Sequence, residues 1–358
     1  NTEQKEFTLT AEDDTQAVVY EGVTYKNERQ KVSISVEKKD SVTGEKLEGV
    51  IFGLYAAEDI LSNQGEVLVE KDTLLEKKAT DAKGTLTFDS DLPHGKYYVK
   101  EEVRKAGYLP NEEVWNVDAT YENQNLAKIE LNKEVENQPT ETRITKTDAT
   151  TGNELEGAKL QVIDKDGNVV EEWTSTKDVH IIRGLVSGKK YILHEDLAPL
   201  GYATASDVTF TVNEDGSVTK VKMKDEITKV DISKVDATTG KEIEGAKLTL
   251  KDKETGEVVE SWTSGKEPHR IEGLTVSKTY VLHEDLAPAG YNVASDVEFT
   301  ISNTGEVQKV VMKDEAKPVV VKTGDDSNIS FYVAMGMFAL GLIVCFYAKR
   351  KYGEKNDK

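Results

Sequence analysis

The strands that decide the fold of this chain carry a lysine, a glutamate and an aspartate in the strings I-T-K (144–146), Y-I-L-H-E (191–195) and V-K-M-K-D (221–225). Side chains of a β-strand point alternately to its two faces. Lys146, Glu195 and Asp225 then fall on the apolar side of their strands. Three ionisable groups in one core are costly unless they act together. We therefore treat them as one unit, called a trio below.

The same trio recurs 89 residues later, because Glu284 follows Glu195 by that distance. The shared strings are D-A-T-T-G, E-G-A-K-L, W-T-S, L-H-E-D-L-A-P and M-K-D-E, and the second trio is Lys234, Glu284 and Asp314. Short alternating segments separated by turns such as Asp166-Gly167 and Thr255-Gly256 predict β-sandwiches rather than a solenoid of short repeats.

A more divergent first copy begins at Val32 and contains Lys38 and Glu101. Asn132 and Asn137 are both candidates for its third member. We choose Asn137, since it precedes Lys146 by nine residues, as Asp225 precedes Lys234. Residues 7–27 are similar to the closing strands of a further, upstream domain.

The predicted fold class is all-β, with tandem sandwiches followed by a single C-terminal transmembrane helix. The predicted segments are the end of a truncated domain (1–30), three repeats (31–140, 141–228 and 229–316), a linker (317–328), the transmembrane helix (329–348) and a basic cytoplasmic tail (349–358).

Composition excludes several classes of function. The net charge of −20 disfavours nucleic acid as a partner, because phosphate binding needs clustered Lys and Arg. The only cysteine, Cys345, lies in a long apolar run, so no disulfide framework or cysteine metal site is available. The first residue is not Met, and we expect the chain to be the C-terminal part of a longer secreted precursor.

The trios predict covalent chemistry. Burial in an apolar core lowers the pKa of a lysine and raises that of a carboxyl group, so that both can be neutral near neutral pH. A neutral lysine is a nucleophile, and attack of Lys146 on the Asp225 carboxyl carbon would form an amide, with Glu195 as proton shuttle. A buried ion pair is the alternative. Recurrence in three copies favours the reaction, which would occur once per molecule rather than with turnover.

The chain resembles the Cna B-type, or SpaA-like, prealbumin-like domains of Gram-positive surface proteins and pilins. The resemblance covers about residues 32–315 and depends on K-x-D-x-x-T-G, E-G-A-K-L and Y-x-L-x-E-x-x-A-P-x-G-Y. It implies an intramolecular isopeptide bond in each repeat, assisted by the glutamate. The implied trios are Lys38, Glu101 and Asn137; Lys146, Glu195 and Asp225; and Lys234, Glu284 and Asp314.

The C-terminal region has the layout of an anchor. Residues 329–348 are nearly all apolar, and about 20 helical residues cover the roughly 30 Å of a bilayer's hydrocarbon core. The basic residues 349–351 predict a cytoplasmic C-terminus. The preceding Thr323-Gly324 step is similar to a sortase sorting signal, although Val320-Val321 replaces the usual Leu-Pro. This resemblance implies cleavage after Thr323 and attachment to peptidoglycan.

We found no motif for a cofactor, a metal ion or an enzyme that acts on external substrates. His194 and His283 are predicted to point outward, and residues 164–168 are interpreted as a hairpin turn rather than a calcium loop. The favoured function is a cell-wall-anchored stalk that presents an adhesive N-terminal region. The open alternatives are repeats that bind a host matrix protein and a pilus subunit.

Overall fold

The structure is a computed structural model, which describes residues 30–62, 64–121, 128–318 and 329–353. Three β-sandwiches follow one another, and a helix ends the described chain. The all-β prediction is therefore confirmed. Residues 1–29, which include the predicted upstream strands, lie outside the described residues.

Nine strands lie within the described residues of the first repeat, which are 30–62, 64–121 and 128–140. They are β1 (Lys31–Asp40), β2 (Ile51–Ala56), β3 (Ile60–Leu61), β4 (Val67–Val69), β5 (Leu74–Ala79), β6 (Thr85–Thr87), β7 (Gly95–Val103), β8 (Val114–Ala119) and β9 (Lys128–Asn137). One sheet has the order β6-β1-β9 and the other β5-β2-β7-β8, while β3 and β4 form a separate hairpin.

The second and third repeats share one pattern of strands, except that an isolated bridge between Tyr291 and Ala316 replaces the short β15 in the third repeat. The second has β10 (Glu141–Asp148), β11 (Lys159–Ile163), β12 (Val169–Thr174), β13 (His180–Arg183), β14 (Lys190–Leu197), β15 (Tyr202–Ala203), β16 (Val208–Thr211) and β17 (Thr219–Ile227). The third has β18 (Lys229–Asp236), β19 (Lys247–Asp252), β20 (Val258–Thr263), β21 (His269–Glu272), β22 (Thr279–Leu286), β23 (Val297–Thr300) and β24 (Val307–Asp314). The sheet orders are β13-β10-β17-β15 with β12-β11-β14-β16, and β21-β18-β24 with β20-β19-β22-β23.

The first and last strands of every repeat are parallel neighbours. Strand β1 pairs with β9, β10 with β17, and β18 with β24. Such a pairing needs a long crossover, which the second sheet supplies in each repeat. It places the first and last strands of each repeat side by side, with the start of the first strand and the end of the last strand at opposite ends of the pair.

Each repeat has its own apolar core between its two sheets. Ile34 and Phe52 belong to the first core, Ile144 and Leu193 to the second, and Leu282 to the third. These side chains come from strands with alternating burial, as the sequence pattern predicts. The charged trio in each repeat is therefore surrounded by apolar side chains.

The C-terminal helix α1 spans Ile329–Gly353, so it continues past the predicted boundary at residue 348. The lysines and arginine of residues 349–351 are good helix formers, which explains the extension. Within the part of the chain that the structure describes, no helix is long and apolar enough to cross a membrane. The helix is confirmed, whereas the membrane span predicted for it is not.

Candidate cross-linking sites

The strand register places the lysine and the acceptor of each trio on one face of a sheet. In the second repeat, Lys146 is opposite Met223, and Asp225 is two residues further along β17. Residues two apart on a strand share a face, so Lys146 and Asp225 are diagonal neighbours. Glu195 reaches them from the other sheet, where it pairs with Leu160.

The second and third repeats build the same contacts. Lys146 Nζ lies 2.7 Å from Glu195 Oε1 and is in direct contact with Asp225 Oδ1. In the third repeat, Lys234 Nζ lies 3.0 Å from Glu284 Oε1 and contacts Asp314 Oδ1. Each lysine therefore lies between two carboxyl groups.

The first repeat differs because its acceptor is an amide. Lys38 Nζ donates to Asn137 Oδ1 at 2.6 Å and lies 3.0 Å from Glu101 Oε2. The amide nitrogen of Asn137 donates to both oxygens of Glu101, at 2.9 and 3.0 Å. Lysine and glutamate thus contact opposite ends of the amide. Asn132, the other candidate, is exposed and pairs with Ser35 in the sheet.

Burial changes the proton affinity of these groups. Lys38 is fully buried, and this desolvation lowers the pKa of its amine although Glu101 opposes the change. Burial raises the pKa of Asp225 to about 7, against the hydrogen bond and charge of Lys146. The neighbouring charge of Glu195 raises the pKa of Asp225 further. Burial also raises the pKa of Asp314.

A backbone donor orients the glutamate in the two aspartate-containing repeats. The N–H of Ala205 donates to Glu195 Oε2 at 2.7 Å, and that of Ala294 donates to Glu284 Oε2 at 2.6 Å. Oε2 is thereby held as an acceptor, which leaves Oε1 to face the lysine. Among the described residues, Glu195 Oε1 and Asp225 Oδ2 accept no hydrogen bond.

The loop that follows each lysine strand is fixed by a tyrosine that the sequence analysis did not assign. In the second repeat, Tyr202 donates through its hydroxyl to Asp148 Oδ2 at 2.8 Å. The N–H of Thr151 donates to the other oxygen and lowers the pKa of Asp148. Tyr108 and Tyr291 make the equivalent contacts in the other repeats. The sequence does mark this tyrosine, because a Gly-Tyr pair recurs at the same distance after the trio glutamate in all three repeats.

Other sequence-based candidates lie away from the trios. His194 and His283 are partly exposed and contact Asp207 and Asp296, as their outward direction predicted. Residues 164–168 form a hairpin turn between β11 and β12, closed by the Asp164 N–H and the Asn168 carbonyl. Thr323 and Gly324, the predicted sortase site, lie outside the described residues.

The model of the SpaA prealbumin-like fold domain matches this chain three times, over residues 32–135, 140–227 and 228–316. The chain belongs to this family. The three matches coincide with the three sandwiches, and each contains one complete trio apart from Asn137, which lies two residues beyond the first match. No curated protein matches the chain.

The chain is also similar to several solved structures. The Bacillus anthracis TIE protein is 25% identical, with 79% of this chain and 50% of that one covered and a TM-score of 0.39. The full-length major pilin SpaD of Corynebacterium diphtheriae is 15% identical; the match covers 83% of this chain and 99% of the pilin, with a TM-score of 0.40. A streptococcal ancillary pilin is 18% identical; the match covers 80% of this chain and 99% of the pilin, with a TM-score of 0.35. This chain spans half the length of the Bacillus anthracis protein.

Proposed function

We propose that this chain is a structural stalk of a bacterial cell-surface protein, in which each SpaA-type repeat closes an amide bond between its first and last strands. The observation that carries the proposal is the threefold placement of a buried lysine against a buried carboxyl or carboxamide group, with a glutamate beside both. A buried ion pair contributes little stability by itself. Three such pairs at equivalent positions are better explained by a reaction.

In the aspartate-containing repeats the leaving group is water. The ammonium of Lys146 transfers a proton to Glu195 Oε1, 2.7 Å away, and the free amine attacks Cγ of the protonated Asp225 carboxyl. The C–N bond forms and the C–OH bond breaks; the hydroxyl leaves as water with one proton delivered by Glu195, and Glu195 then takes the second proton released by the lysine nitrogen. Lys234, Glu284 and Asp314 repeat these roles. Fixed geometry supplies an effective molarity of about 10⁵ to 10⁸ M for well-aligned groups.

In the first repeat the leaving group is ammonia. Lys38 contacts the amide oxygen, and Glu101 contacts the amide nitrogen. Glu101 therefore accepts a proton from Lys38 and delivers it to the nitrogen that departs. No external substrate is consumed, and we propose no turnover.

The mechanical benefit follows from the parallel pairing of first and last strands. A pulling force that enters along β10 passes from Lys146 through the amide to Asp225 and leaves along β17. The strands between them are bypassed. By analogy with a disulfide, closing a loop of 79 residues restricts the unfolded chain by about 4 to 5 kcal/mol.

We further propose that the stalk is joined to peptidoglycan by a sortase that cleaves between Thr323 and Gly324. This step is supported by the sequence alone, through the T-G step, the apolar segment and the basic residues that follow. A C-terminal peptide ending at Thr323 in a cell-wall fraction would support it. A chain that retains residues 324–358 in that fraction would contradict it.

Intact-mass spectrometry of the purified chain tests the amide bonds. The proposal requires a mass lower than that of the linear sequence by two waters and one ammonia. A full calculated mass would refute it. Reduction with dithiothreitol is the control, since it cannot restore the missing mass.

A pilus subunit is the second candidate, since tandem family domains that resist extension serve a pilus shaft equally well. A ladder of covalent polymers released from cell walls would favour this candidate. A single monomeric band would favour the stalk.

A further inference from the structure

Adjacent repeats are joined almost without a linker. Strand β9 ends at Asn137 and β10 begins at Glu141, while β17 ends at Ile227 and β18 begins at Lys229. One buried threonine lies at each junction, three residues after the acceptor of the preceding trio. Thr140 is 3% exposed and Thr228 is fully buried.

Each of these threonines hydrogen-bonds to both repeats. The N–H of Thr228 donates to the carbonyl of Gly201 in the second repeat at 3.0 Å. Its carbonyl accepts the N–H of Gly273 in the third repeat at 3.0 Å, and its hydroxyl donates to the carbonyl of Leu274 at 2.6 Å.

The other junction repeats these three bonds. Thr140 donates through its N–H to Gly107 at 2.9 Å, accepts from the N–H of Gly184 at 3.1 Å, and donates through its hydroxyl to Leu185 at 2.5 Å. A buried hydroxyl with a good acceptor stabilises the junction, and an acceptor left buried without its donor destabilises it. The same residue type is therefore used in the same way twice.

The two loops that meet at each junction require glycine. Gly201 has φ +85°, and a Cβ there would lie only 2.8 Å from the carbonyl oxygen of Gly273. A Cβ on Gly107 would overlap the carbonyl oxygen of Gly184 in the same way. Side-chain atoms cannot approach this closely, so only glycine allows the loops to touch.

A second contact lies beside each junction. The turn before β17 places Gly216 against Leu109 of the first repeat, where a Cβ would lie 3.1 Å from the leucine side chain. The corresponding turn before β24 places Gly305 against Glu226, and Asn303 accepts the N–H of Thr204 at 2.8 Å. Two separated contacts resist bending and twisting, which one connection alone would allow.

The third repeat has the same loop with no further repeat against it among the described residues. Lys317 occupies the position of the two threonines, and its N–H donates to the carbonyl of Gly290 at 2.7 Å. Gly290 has φ +93°, yet a Cβ there would meet no atom within 4 Å. The positive φ of this glycine therefore does not depend on a neighbouring repeat. The absence of a side chain is needed for close contact only where another repeat packs against the loop, as at Gly201.

We propose that Thr140 and Thr228, with the glycines that face each other beside them, lock the three repeats into one stiff rod. The partner of each such surface is the next repeat of the same chain. The lock does not depend on the amide bonds, because none of its residues belongs to a trio. It acts on the two ten-residue segments from Asn137 to Lys146 and from Asp225 to Lys234, which no amide bond bridges.

A distance measurement between two spin labels tests this lock. Labels at Lys177→Cys and Lys266→Cys, in a Cys345→Ser background, occupy equivalent exposed positions of the second and third repeats. Double electron–electron resonance should give one narrow distance distribution. Gly201→Ala should broaden it at least twofold, while the matched control Gly290→Ala imposes the same backbone strain without the clash and should leave it unchanged.

A second set of variants tests the contribution of the Thr228 hydroxyl. Thr228→Val should broaden the distribution, Thr228→Ser should restore it, and Thr211→Val, on an exposed strand position, should have no effect. Circular dichroism of each variant checks that the sandwiches remain folded. A broad distribution in the parent chain, or equal effects of Gly201→Ala and Gly290→Ala, would overturn the proposal.

Discussion

Lys234 Nζ contacts Asp314 Oδ1 inside the third repeat, although 80 residues separate them in the chain. They meet because β18 and β24 are parallel neighbours in one sheet. The contact therefore joins the first strand of the repeat to its last strand. The same relationship holds for Lys146 with Asp225 and for Lys38 with Asn137.

Removing the glutamate of a trio should prevent its bond without preventing folding. In Glu195→Ala, the second repeat loses its proton shuttle and should form no bond. The measured mass of this variant should therefore exceed, by one water, the mass calculated for the same variant with all three bonds. The unlinked repeat should lose about 4 to 5 kcal/mol of stabilisation from loop closure. Glu156→Ala, at an exposed position of the same repeat, is the control and should change neither quantity.

Changing the acceptor should change the leaving group. In Asp225→Asn, the second repeat acquires the lysine–amide arrangement of the first, so the bond should still form with loss of ammonia instead of water. Accurate mass measurement separates the two losses. An Asp225→Asn chain whose second repeat stays linear would show that Glu195, tied to Ala205, cannot serve an amide nitrogen.

Bond formation should be slower in alkaline solution. The folded second repeat raises the pKa of Asp225 to about 7, from an ordinary value of about 4. The folded state before cross-linking thus favours protonated Asp225. The contribution of protonated Asp225 to the stability of the folded repeat is complete below the ordinary pKa of about 4 and is lost as the pH rises through about 7.

The rate can be followed with chain synthesised in a cell-free system, held unfolded in urea and diluted into buffers from pH 5 to pH 9. Quenched samples give the fraction with reduced mass. The second repeat should react several-fold more slowly above pH 8 than at pH 6. A rate that increases steadily with pH would mean that lysine deprotonation alone limits the reaction.

The tyrosine that holds the loop after the lysine strand should stabilise the fold rather than take part in the reaction. Tyr202→Phe removes the hydrogen bond to Asp148 and should cost about 1 kcal/mol. The measurement uses chemical denaturation in the Glu195→Ala background, where no amide bond masks the change. The amide bond should still form when Tyr202→Phe is made alone.

Single-molecule pulling should distinguish linked from unlinked repeats. The parent chain, pulled from both ends, should show no extension from the three sandwiches. Glu284→Ala should add one step of roughly 250 Å, because about 80 residues become free to extend at up to about 3.4 Å each. A parent chain that shows three such steps would contradict the proposed load path.

The sequence predicted the sandwiches and the members of each trio because two periodic signals agreed. Strand alternation put Lys146, Glu195 and Asp225 on inward faces, and the repeat offset showed which positions correspond. Asn137 rather than Asn132 followed from its spacing to the next lysine. These features depend on local pattern and on comparison of one repeat with another.

Other features could not be predicted in this way. The Ala205 N–H that orients Glu195 belongs to a residue with no functional side chain, so nothing in the sequence marks it. The contact of Thr228 with Gly201 and Gly273 depends on how two repeats dock, which strand periodicity does not encode. Helix α1 extends beyond the apolar segment because charged residues with high helix propensity continue it.

Proteolysis followed by tandem mass spectrometry tests the amide bonds most directly. The account predicts three branched peptides, which join Lys38 to Asn137, Lys146 to Asp225 and Lys234 to Asp314, each with fragment ions from both strands. Linear peptides that carry unmodified Lys234 and unmodified Asp314 in the folded, purified chain would contradict it.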